Sequence, residues 1–94
     1  MEAQRVGADF EPGILASVRI GNLLGLDVIP NFCDDLEAGK AQLGKLAHNY
    51  QIAKTVGGES VVIFVRDLLI GVTRPFPSEA NAVASALEFL LLNK

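Results

Sequence analysis

The stretch 60–73 constrains this chain more than any other. It reads Ser-Val-Val-Ile-Phe-Val, then Arg66-Asp67, then Leu-Leu-Ile-Gly-Val-Thr. Side chains branched at Cβ crowd a helical turn and sit well on a pleated surface, so this is β structure. The run is long against the usual strand of about 5–6 residues. A break at Arg66-Asp67 divides it into strands 60–65 and 68–73. Arg-Asp is not a favoured turn pair, so one bent strand is the alternative. Both halves are nearly continuously apolar, which is the pattern of central strands covered on both faces.

The rest of the chain is read around that sheet. In 14–20, Ile14, Ala16, Val18 and Ile20 alternate with Leu15, Ser17 and Arg19, the period of a half-buried strand. Gly21-Asn22 suits a two-residue type II′ turn, and 23–29 forms the return strand, with Leu24, Leu26 and Val28 on one face. Pro30 ends it, because proline has no N–H for the ladder. Asp34 or Asp35 caps a helix over 34–50, with Leu36, Leu43, Leu46, Ala47 and Tyr50 along one face. Gly39 and Gly44, with Ala38, Ala41 and Ala47, make that helix lean. Each interior glycine costs about 1 kcal/mol against alanine, and close approach of another backbone would justify the cost. A mediocre helix held by packing is the alternative. Residues 51–56 fit either a helical extension or a strand, and Gly57-Gly58 turns the chain in both cases. After the stiff connector Pro75-Phe76-Pro77, Ser78 caps a last helix that runs to about Asn93. Its core face is Val83, Ala84, Leu87, Leu90 and Leu91. Phe89 and Leu92 fall beside that stripe and mark a partner surface, unless the helix is sunk in the core.

The expected fold class is therefore α+β. An antiparallel sheet of about five strands carries the helices in the order hairpin–helix–strands–helix. Residues 1–12, ending at Pro12-Gly13, read as a flexible N-terminal tail, and 13–94 as one domain. Half of the 94 residues are hydrophobic and a fifth are charged. A domain this small hides only part of its apolar surface, so either a second copy or another protein covers some of it, or the core is simply well filled. The net charge of −3, with Lys and Arg scattered, argues against nucleic acid and anionic membrane surfaces as partners. Cys33 is the only cysteine, so no disulfide closes within the chain. No segment approaches the roughly 18 apolar residues that span a bilayer, and 1–11 lacks the pattern of a signal peptide. A cytoplasmic protein without membrane insertion is expected.

Catalytic and ligand-binding patterns are scarce. Gly39-Lys40 and Gly44-Lys45 are followed by Ala41 and Leu46, which bring no hydroxyl to a magnesium ion, so no phosphate-binding loop is present. Gly21 to Gly25 lacks dinucleotide-loop spacing. His48 is the sole histidine and has no partner at metal-ligand spacing. It serves as a base for Cys33 only if folding joins them; otherwise His48 is a solvated side chain and Cys33 a small apolar filler. Asp34 and Asp35 diverge by about 100° at a helix start, which suits a cap better than a carboxylate dyad. Arg66, Asp67 and Arg74 form an ion-pair cluster, a recognition edge or, the commoner role, a strand-edge guard. No catalytic residue, cofactor or metal is expected.

The order of hairpin 14–29, helix 34–50, strands 51–56, 60–65 and 68–73, and helix 78–93 resembles the roadblock family of small dimeric regulators. Residues 1–11 are too short for the helix that precedes the hairpin in that family. The resemblance implies a homodimer or heterodimer in which long helices meet and strand edges join. Here that interface would be Gly39, Leu43, Gly44, Ala47, Ile52 and Lys54. It also implies a non-enzymatic interaction module that binds or regulates a Ras-like small GTPase or scaffolds a larger complex. The alternative is a small-ligand sensor whose cavity, between sheet and last helix, is lined by Phe64, Leu69, Leu87 and Leu90.

Overall fold

The computed structural model describes residues 4–6, 10–46, 49–65 and 68–92. In chain order the elements are β1 (Gln4–Val6), α1 (Ile14–Leu24), α2 (Leu36–Leu46), β2 (Asn49–Thr55), β3 (Gly58–Val65), β4 (Leu68–Thr73) and α3 (Glu79–Leu92). One sheet has the order β1-β4-β3-β2. β2 pairs antiparallel with β3 from Asn49–Phe64 to Thr55–Gly58. β3 pairs antiparallel with β4, and its register shifts between Ile63 and Phe64. β1 pairs with β4 in parallel.

This arrangement corrects the expected fold class. Among the described residues the sheet has four strands, not about five, and is mixed instead of antiparallel. The expected first hairpin is instead α1 followed by a loop, so the order hairpin–helix–strands–helix does not hold. Ala16, Ser17, Ile20 and Gly21 form the buried side of α1, and Leu24 packs against the core. Those positions have helical spacing as well as strand alternation, and burial against α3 decides between the two. Gly25 stops the helix in the left-handed region at φ 74°. Its N–H donates to the Asn22 carbonyl at 3.1 Å, and the Leu26 N–H donates to that of Gly21 at 3.0 Å. That pair of bonds is a Schellman stop. Gly21 lies within the helix, where an added Cβ would overlap the Ile29 side chain.

The N-terminal segment is not a tail in the described residues. Its strand β1 extends the sheet, and Phe10 is buried edge-on to Phe76, with ring centroids 5.9 Å apart. Arg74 lies 4.2 Å over the Phe76 ring and donates to the Phe10 carbonyl at 2.7 Å. α2 ends at Leu46, and Tyr50 belongs to β2, so the helix is shorter than the expected 34–50. Asp35 caps it by accepting the Ala38 N–H at 3.1 Å, and Ser78 caps α3 by accepting the Asn81 N–H at 3.2 Å.

α3 is the centre of the molecule. It packs on β1, β3 and β4, and receives α1 and α2. Ala82, Val83, Ala84, Ser85, Ala86 and Leu87 are all buried, so the helix is covered nearly all round. Phe32, Leu43, Ile20 and Phe76 complete the core.

Candidate interaction surface

The residues expected to form a dimer interface do not share one surface. Gly39 faces α3, where an added Cβ would lie 2.9 Å from Val83 Cγ1. Leu43 is buried beside it. Gly39 thus serves the contact between α2 and α3 within the chain. Gly44 lies five residues on, about 140° round the helix, and is exposed to open space. Ile52 is half-buried against the core, and Lys54 is exposed on the edge strand β2. Ala47 lies outside the described residues. The expected partner surface on α3 also divides, because Phe89 packs against the core while Leu92 is exposed.

The chemical candidates are placed as follows. Cys33 is buried, and its Sγ accepts the Gly13 N–H at 3.3 Å. His48, its only conceivable base, lies outside the described residues, as do Arg66 and Asp67. Asp34 accepts from Asn31 Nδ2 at 2.9 Å and so belongs to the loop before α2. Of the four residues expected around a ligand cavity, Leu87 is buried and Leu90 half-buried in the core, while Phe64 and Leu69 are register partners in β3 and β4. Among the described residues, no group of three His, Cys, Asp or Glu could hold a metal ion. No helix among them is long and apolar enough to cross a membrane.

What the sequence reading missed is the outward side of α1. Ile14 is 72 % exposed and Leu15 77 %, with Val18 and Leu23 also exposed. At 100° per residue, Ile14, Val18, Asn22 and Leu15 span one side, opposite the buried Ala16, Ser17 and Ile20. Reading 14–20 as a strand assigned Ile14 and Val18 to a core face. The i, i+4 spacing of Ala16, Ile20 and Leu24 was the signal that could have corrected it.

This side of α1 is held in place from behind. Ser17 Oγ donates to Asn31 Oδ1 at 2.9 Å and accepts the Cys33 N–H at 3.4 Å, which ties the helix to the loop before α2. Arg19 Nε meets Glu88 Oε2 of α3 at 3.2 Å. A shallow depression of about 300 Å³ runs along the start of the helix, lined by Glu11, Ile14, Leu15 and Arg19 among others.

No family model, curated protein or solved structure matches this chain.

The reading of its function therefore rests on this surface. Removing a fully exposed aliphatic side chain from water is worth about 1.5–3 kcal/mol. Ile14 and Leu15 retain most of that gain for whatever covers them. A contiguous apolar strip edged by charged groups is the surface expected of an interaction site.

Proposed function

We propose that this chain is a non-enzymatic interaction module that works as a dimer in the cytoplasm, through the outward side of α1. The observation behind this reading is the apolar strip of Ile14, Leu15 and Val18 on a helix whose opposite side is fixed in the core. A second copy is the occupant that the roadblock resemblance names, since it implies a homodimer or heterodimer. The roadblock resemblance supplies the class of further partner, a Ras-like small GTPase or the scaffold of a larger complex. That resemblance now rests on the segments from α2 onward, since 14–24 is a helix where the resemblance placed a strand.

The test is the solution mass by light scattering across a concentration range. The wild-type chain is expected at twice 10.0 kDa. Leu15→Glu is expected to be monomeric with an unchanged circular dichroism spectrum, because a charge cannot be buried unpaired at an apolar contact. A wild-type chain that stays monomeric at the highest concentration overturns the proposal. If the dimer is found, capture of GTPases by wild type and by Leu15→Glu then shows whether the partner needs the dimer.

A further inference from the structure

We draw no further inference here: the strongest candidate, the depression along the start of α1 beside Ile14 and Leu15, belongs to the surface already described, and nothing in the structure shows what covers it.

Discussion

Gly39 and Gly44 sit five residues apart on α2 and have opposite surroundings. Gly39 lets α2 approach α3, with Val83 Cγ1 only 2.9 Å from where its Cβ would be. Gly44 meets nothing within 4 Å. Gly44→Ala should therefore raise stability by about 1 kcal/mol, the helix-propensity difference alone, seen as a melting temperature higher by about 4–8 °C. Gly39→Ala should gain less or lose stability, because Val83 must move. A second residue-scale test is Ser85, whose hydroxyl is buried in α3 without a hydrogen-bond partner among the described residues. Ser85→Ala removes an unsatisfied group and should stabilise by about 1 kcal/mol in urea unfolding. The sequence marked both glycines as unusual inside a helix. Which of them has a neighbour depends on where α3 lies, and spacing along α2 does not contain that information.

At the scale of elements, 14–24 shows how two periods can fit one segment. Ile14, Ala16, Val18 and Ile20 alternate, while Ala16, Ile20 and Leu24 repeat every fourth residue. An isolated helix as short as α1 is marginal in water, so local propensity does not decide the outcome. Packing of Ala16 and Ile20 against α3 does, and the left-handed Gly25 supplies a stop that a hairpin turning at Gly21-Asn22 would not need. The two structures predict opposite effects at Asn22, which is exposed within α1. Asn22→Ala should stabilise by a few tenths of a kcal/mol in the helix, whereas it would harm a hairpin turn. Gly25→Ala should destabilise by about 1–2 kcal/mol, because a Cβ is unfavourable at φ 74°. Thermal melts of the two variants check both effects. By contrast, β3 and β4 were legible, because their β-branched runs have no competing helical period. β2 became a strand through its long register with β3, a choice that the two periods within 51–56 left open.

For the whole molecule, the largest departure from the sequence reading is the N-terminal segment. A three-residue strand and one phenylalanine carry no periodic signal, so 1–12 read as a tail. In the fold, β1 extends the sheet beside β4, and Phe10 packs against Phe76 beneath Arg74. Phe10→Ala should cost about 3–5 kcal/mol in chemical unfolding, as expected for truncating a buried phenylalanine. That loss is a large fraction of the roughly 5–15 kcal/mol that stabilises an ordinary domain. A variant as stable as wild type would show that the segment is not part of the core. The sequence by itself determined the apolar central strands, a cap at Asp34 or Asp35, the cap at Ser78, and the stiff connection into α3, because each is set by neighbours within a few residues. Only the tertiary structure decided that 14–24 is a helix and that Gly39, not Gly44, lies at a contact within the chain. It also decided that Gln4–Val6 joins the sheet, and that an apolar side of α1 is left open. Those outcomes depend on which distant surface each segment is buried against, and local spacing does not encode that choice.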